Sequence, residues 1–333
     1  MLHGRKRTAT LVATLIALLT ALVTVGIGLA GTETASAKPD LETVKKQVEA
    51  LDHQAEQASE RYNDAKVRVA QTRTTMAALN ADLDRQQKLV DAMRQQVARM
   101  VVEAYQGNAL SATSQVVLSN NPDAFLDNLN AVSSYNNQRG QVMAEYSTEL
   151  DRLKLRRSAV ATESTRLVAL KKQMGADKAE IDKKAAKARA LLDDLEAAAR
   201  AKLLGGDYTG ALPDVAGDGR AATALRYAMA QIGKSYVYGA AGPNAFDCSG
   251  LMMRAWGAAG VGLPHSSGAQ QGSGMRVSES ELRPGDLVFY YSPVSHVGMY
   301  IGNGLIVNAL NPRSGVRVSP LHSMPYSGAV RPG

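Results

Sequence analysis

The stretch "NAFDCSGLMMRAW" holds Cys248, the one cysteine among 333 residues. Asp247 precedes it, Ser249 and a glycine follow, and then the chain turns apolar. An aspartate before an apolar run is a helix N-cap signal, which predicts a helix from Cys248 to about Ala259. The sulfur then sits at the positive end of the helix dipole, where free amide hydrogens stabilise a thiolate. The competing reading is a small buried hydrophobe without a disulfide partner. A nucleophilic thiolate also needs a base, and the last third of the chain offers His265, His296 and His322. His296 opens the apolar run "HVGMYIG", where a polar ring is out of place unless it is used. His265 lies in a Pro-flanked loop, "LPHSSG", and His322 lies near the tail. The pattern ranks them in that order.

An imidazole base works best when a third group fixes its orientation. If "GNG" forms a three-residue hairpin loop, Ile301 faces Leu305 and Gly298 faces Asn308. His296 and Asn308 are then diagonal neighbours on one face, and the amide can hold the ring. A two-residue Asn303-Gly304 turn shifts the pairing by one and throws Asn308 to the opposite face. Asn308 could equally be a strand-end residue bonding to nearby backbone.

The elements that must position these groups fall within residues 220–333. A short amphipathic helix from Ala221 closes at Gly233, and the helix of Cys248 follows. Then "DLVFYY", "SHVGMYIG" and "LIVNALN" read as strands separated by Pro, Gly and Asn turns. Helices first and strands after predict an α+β domain. Ahead of it, residues 205–219 contain five glycines and a proline and read as a flexible linker.

Residues 38–204 read as a coiled-coil helical region. From Leu41 to Gln106 there is no glycine or proline, and Leu41, Val44, Val48, Leu51, Ala55, Ala58, Tyr62, Ala65 and Val69 keep a strict heptad spacing. At about 1.5 Å per residue this is a rod on the order of 100 Å long. A break around Gly107 to Pro122 precedes a second helical stretch from Asp123 to about Leu204. An antiparallel hairpin is expected, with an extended rod pairing to a second chain as the alternative. No residue of the coil suggests chemistry, so it reads as a scaffold, tether or regulator.

Residues 1–37 read as an export signal. His3, Arg5, Lys6 and Arg7 precede an uncharged stretch, and "TETASAK" offers cleavage after Ala37. An uncleaved membrane anchor is the alternative. In either case the rest of the chain lies outside the cytoplasm, where a single cysteine cannot form an internal disulfide. Of the net charge of +7, residues 220–333 contribute nine basic against four acidic groups. The signal carries the rest, and residues 38–219 are neutral. The basic excess of the last domain favours an acidic partner, such as a carboxylate-bearing peptide or anionic wall polymer, over nucleic acid.

Five ordered motifs, "YVYG", "FDCSGL", "LPHSS", "LRPGDLVFYY" and "SHVGMYIGNG", resemble the NlpC-type papain-like cysteine peptidases that cut bacterial peptidoglycan. The resemblance spans essentially all of residues 220–333. It implies a papain-like α+β domain and a D,L-endopeptidase that cleaves stem peptides between D-glutamate or isoglutamine and the diamino acid. It assigns Cys248 as nucleophile, His296 as base and Asn308 as the orienting group, a position where many members carry histidine. It places Tyr236 beside the nucleophile and Asp247, Ser249 and His265 along the substrate groove; arginine is common where His265 stands. No metal or organic cofactor is implied, and the sequence has no ligand-spaced His and Cys set to hold zinc. The coil is similar to the helical regions of division-associated hydrolases, their activators and Rip-type actinobacterial endopeptidases, which implies restraint of the enzyme or docking on an FtsEX-type membrane complex. Two rival classes stand beside this: a wall-binding adaptor without activity, and an amidase or transpeptidase on the same fold.

Overall fold

The computed structural model describes residues 40–106, 122–195, 199 and 219–333. The expected export signal, the break over 107–121 and all but the last residue of the linker lie outside them.

Helices α1 (Leu41–Tyr105) and α2 (Pro122–Asp193) form the expected antiparallel hairpin. Val44, Val48 and Leu51 near the start of α1 pack on Ala188 and Leu192 near the end of α2, and Ala65 and Val69 pack on Leu170. Small side chains dominate this seam, which lets the helices pair without large rings. The polar seam residue Gln86 is buried and donates to the backbone oxygen of Glu149 at 3.1 Å and to its carboxylate at 2.6 Å. A satisfied polar group in an apolar seam fixes register, since any slip would strand it. Ion pairs from Arg61 to Asp177 and Glu180, and from Arg156 to Asp82, bind the outer flanks.

The last domain has the expected α+β form. Helix α3 (Arg220–Met229) is followed by a parallel pair of two-residue strands, β1 (Ser235–Tyr236) and β2 (Ala245–Phe246). Next come α4 (Cys248–Ala258) and the short α5 (Ser267–Gln270). Strands β3 (Met275–Val277), β4 (Leu287–Tyr290), β5 (His296–Gly302), β6 (Leu305–Ala309), β7 (Val316–Pro320) and β8 (Tyr326–Arg331) form one antiparallel sheet in the order β3-β8-β4-β5-β6-β7. Alternation along the strands divides the sheet into two faces. Leu287, Phe289, Val297, Met299 and Val307 pack against Leu225, Leu251, Met252 and Trp256 of α3 and α4. Val288, Tyr290 and Ile306 build a smaller cluster with Leu321 and Ala329 on the other face.

The β5–β6 hairpin combines the two turn geometries considered from sequence. Asn303 and Gly304, with φ of 54° and 69°, make a two-residue turn, and Gly302 pairs with Leu305. Ile301 is then the extra residue of a β-bulge, so that Tyr300 pairs with Ile306 and Met299 with Val307. The bulge restores the register that a three-residue loop would have given, and Asn308 stays on the face of His296. Gly298 leaves room for this crossing. A Cβ there would lie 2.9 Å from Ile306 Cδ1 and 3.3 Å from Asn308 Cβ. Gly298→Ala is therefore expected to cost about 1–3 kcal/mol by overpacking, read as a lowered unfolding midpoint. An unchanged midpoint would show that the hairpin adjusts freely.

Candidate active site

The sulfur is placed by the cap of α4. Asp247 has extended backbone, and its Oδ1 accepts the Gly250 amide at 2.6 Å while Oδ2 accepts the Gly239 amide at 2.9 Å. His265 Nε2 lies 2.8 and 3.0 Å from the same two oxygens. His265, expected along the groove, thus braces the cap of α4. The tight cap also explains the glycine in "DCSG". A Cβ on Gly250 would collide with the backbone oxygen of Ala240 and lie 2.8 Å from Asp247 Oδ1. His322, ranked last among the candidate bases, is exposed and pairs with Glu279 at 3.1 Å.

Cys248 and His296, far apart in sequence, are brought together. Cys248 Sγ, a ring nitrogen of His296 and a carboxylate oxygen of Glu56 lie within 4.8 Å of one another, all three residues buried. Asn308 Nδ2 is 3.3 Å from His296 Nε2, and Ser319 Oγ is 3.4 Å from Asn308 Oδ1. In this orientation the amide donates to Nε2, which leaves the Nδ1 proton for Glu56 Oε1 at 2.6 Å. Tyr236 is buried and meets Tyr238 edge to face with ring centroids 5.1 Å apart.

The coil, which sequence reading treated as chemically silent, supplies the remaining side chains of the site. Asp52, Glu56, Glu60 and Asn63 form one stripe along α1, at successive spacings of four, four and three. Asp52 Oδ2 accepts from Arg313 Nε at 3.0 Å. Glu60 Oε2 accepts the Ser267 amide at 2.6 Å and its hydroxyl at 2.8 Å, while Oε1 accepts the Ser249 hydroxyl at 2.9 Å and the Cys248 thiol at 3.5 Å. Asn63 Nδ2 donates to Asp247 Oδ2 at 3.0 Å. A helix of period 3.6 can carry two such stripes. In α1 one is the seam to α2 and the other lies on the last domain. Regularly spaced acids ordinarily mark a solvated face, which is why this stripe was missed. The basic excess of residues 220–333 was the available hint, and α1 answers it in cis.

The docked helix reverses the expected state of the sulfur. Burial pushes the Cys248 thiol well above its ordinary range, and the carboxylates of Glu60, Glu56 and Asp247 push it further, against a hydrogen bond from the Val297 amide. The helix tip is where the sequence placed it, but exclusion of water and three nearby carboxylates outweigh its dipole. Glu60 is raised to about 7, by burial first and then by Asp247, despite its bonds to Ser267 and Ser249. Two cavities, of about 290 and 520 Å³, involve α1 at this point; Glu56 and Tyr236 line one, and Glu60, Ser266 and Ser295 line the other.

A buried helix that begins at a cysteine, and a strand that begins at a histidine with an asparagine beside it, define a papain-like cysteine-peptidase domain. Residues 233–330 match the NlpC/P60 family, and this C-terminal part of the chain belongs to that family. A probable endopeptidase of Mycobacterium tuberculosis is 47% identical over 111 residues, which is 33% of this chain and 29% of the relative. A probable endopeptidase of Corynebacterium glutamicum is 44% identical over 104 residues, 31% of this chain and 50% of the relative. The probable endopeptidase p60 of Listeria monocytogenes is 47% identical over 97 residues, 28% of this chain and 20% of the relative. The chain therefore spans half or less of the length of these curated relatives. Among solved structures, the M. tuberculosis peptidoglycan hydrolase RipB is similar at 31% identity, over 34% of this chain and 64% of that one, with a TM-score of 0.32.

Proposed function

We propose that this protein is an exported peptidoglycan hydrolase, a D,L-endopeptidase cleaving stem peptides between D-glutamate or isoglutamine and the diamino acid. The observation that carries this reading is the grouping of Cys248 at the tip of α4 with His296 and Asn308. In the open site, Cys248 passes its proton to His296 and attacks the amide carbon, forming a tetrahedral intermediate. Free backbone amides at the start of α4 are placed to hold the developing oxyanion. His296 then protonates the leaving amine, and water, deprotonated by the same ring, releases the acyl group and restores the thiol. In this open form the Asn308 amide turns so that Oδ1 accepts the Nε2 proton, which keeps the ring oriented with Nδ1 free to take the thiol proton. Tyr236 and Ser249 contact the substrate, while Asp247 and His265 hold the nucleophile's helix.

The coil regulates this site by covering it. In the closed form Glu56 engages the base and Glu60 engages Ser249 and Ser267, so a stem peptide has no access to the sulfur. An FtsEX-type membrane complex, acting during division on the outer side of the cytoplasmic membrane, is the kind of partner that would pull α1 away. Export with cleavage after Ala37 accounts for the N-terminal segment, and N-terminal sequencing of the secreted protein should begin at Lys38.

The reaction is tested by incubating the full chain, and a variant with α1 released, with purified muropeptides and weighing the products by mass spectrometry. Fragments split between the second and third stem residues support the reading. Intact muropeptides bound by the released variant would instead make it an adaptor, and separation of glycan from peptide would make it an amidase.

A further inference from the structure

Docking α1 assembles a set of ligating atoms that neither part of the chain possesses alone. The last domain brings a thiol and an imidazole, and α1 brings the Glu56 carboxylate from 240 positions away from His296. A second carboxylate oxygen, Glu60 Oε1, stands 3.5 Å from the sulfur. Sulfur, imidazole nitrogen and carboxylate oxygen together form a donor set suited to zinc, a borderline-soft ion that accepts all three in tetrahedral geometry. We propose that a zinc ion binds across this interface, held by Cys248, His296 and Glu56 with Glu60 in reach as the fourth ligand, and so locks the peptidase in its closed form.

Two further features of the site favour a cation. The first is charge. Glu56, Glu60 and Asp247 are all buried, and among the described residues their partners are histidine, serine, asparagine, the thiol and backbone amides, with no lysine or arginine bonded to them. Buried carboxylates without a counter-charge are costly, and a divalent ion would supply it. The second is access. The 290 Å³ cavity is lined by the exposed Glu49, by the Asp52–Arg313 ion pair, by His53 and by the buried Glu56, a polar path from solvent to the proposed ligand. His53 Nδ1 is buried without a hydrogen-bond partner among the described residues and lies 3.9 Å from Glu56 Oε2. It is placed to receive an arriving ion or to brace the ligating carboxylate from outside.

Binding exchanges protons for metal without redox change. The thiol proton leaves to solvent, the His296 ring proton moves from Nδ1 to Nε2, where the Asn308 amide turned with Oδ1 inward accepts it, and sulfur, nitrogen and carboxylate oxygen lone pairs bind the ion. Zinc bonds of about 2.0–2.3 Å require the three atoms to draw together, which rotation about their side-chain bonds permits. The sulfur lone pair needed for attack is then occupied, and α1 is tied to both halves of the Cys-His pair. Loss of zinc, to a chelator or a competing ligand, would release the helix and the nucleophile together.

The inference rests on the proposed function only for the meaning of the lock, so the test reads metal binding directly. The full chain is titrated with cobalt(II), a spectroscopic substitute for zinc, and then with zinc in competition. The expected result is one ion per chain, a sulfur-to-cobalt charge-transfer absorption that vanishes in Cys248→Ser, and affinity lowered at least about tenfold in Glu56→Ala. Glu56→Gln, nearly the same shape, should show the same loss, and circular dichroism on each variant separates this from misfolding. Zinc should also slow alkylation of the Cys248 thiol in the native chain. Absence of the absorption, or equal affinity after Glu56 is replaced, would overturn the site. If the absorption appears while a zinc-free variant with α1 released leaves muropeptides uncut, the metal site stands and the hydrolase reading falls.

Discussion

Replacing Cys248 by alanine is expected to abolish stem-peptide cleavage, with a loss of at least about a thousandfold, the scale on which removing a catalytic nucleophile acts. The size follows from the absence of a substitute. Ser249 is the nearest hydroxyl in sequence, but its Oγ is tied to Glu60 at 2.9 Å and lies 3.4 Å from Asp247 Oδ1, with no histidine as a partner among the described residues. The substitution itself is mild for the fold, because alanine fills most of the space of a buried thiol and Asp247 still caps α4 through Gly250. The measurement is single-turnover digestion of a defined muropeptide, made on both the native chain and a variant with α1 released. Cleavage within tenfold of the parent would mean that the reaction runs through another group.

The second large effect is a gain of activity. Asn63→Asp is expected to raise cleavage by the full chain at least about tenfold. In the docked form Asn63 Nδ2 sits 3.0 Å from Asp247 Oδ2. A carboxylate in its place would put two negative charges at that distance in a buried site. Even at an effective dielectric of 20 the repulsion is about 5 kcal/mol, several times the 1.4 kcal/mol that corresponds to a factor of ten. Asp247 is also braced by His265 and two backbone amides. The cheaper response is for α1 to leave. The seam to α2 lies on the other side of the helix and is untouched, so the hairpin should persist. Alkylation of Cys248 should accelerate in parallel, because the thiol regains solvent. Reversing the charge of the exposed Lys66 should do nothing. A charge-swap pair gives an independent check: Asp52→Arg should weaken docking by facing Arg313, and adding Arg313→Asp should restore latency. If Asn63→Asp leaves the rate and the alkylation unchanged, α1 does not restrain the enzyme.

The closed form also explains why the same helix tip can serve opposite states of the sulfur. With α1 away, the tip of α4 faces water and the amide dipole favours the thiolate. With α1 docked, water is excluded and Glu56 and Glu60 join Asp247 around the sulfur. Under the proposed regulation the switch lies in what covers the nucleophile, while the nucleophile's own helix stays unchanged.

The sequence by itself determined the local parts of this protein. The heptad spacing from Leu41 specified a long paired helix, because apolar side chains at that period must be covered along one stripe. The aspartate before Cys248 specified where α4 begins, and the alternation around Gly298 specified the strands that carry His296 and Asn308. Each is a short-range rule, in which a residue's neighbours in the chain are also its neighbours in space. Two things escaped such rules. The register near Asn308 depended on whether a bulge at Ile301 compensates a tight turn, a balance between two local geometries of similar cost. The meeting of Asp52, Glu56, Glu60 and Asn63 with Arg313, His296, Ser267 and Asp247 depended on how the hairpin lies on the last domain. Charges spaced along a helix look the same in sequence whether water or a protein surface faces them. Only the tertiary arrangement decided that these would be buried, and with that it decided that the site is closed.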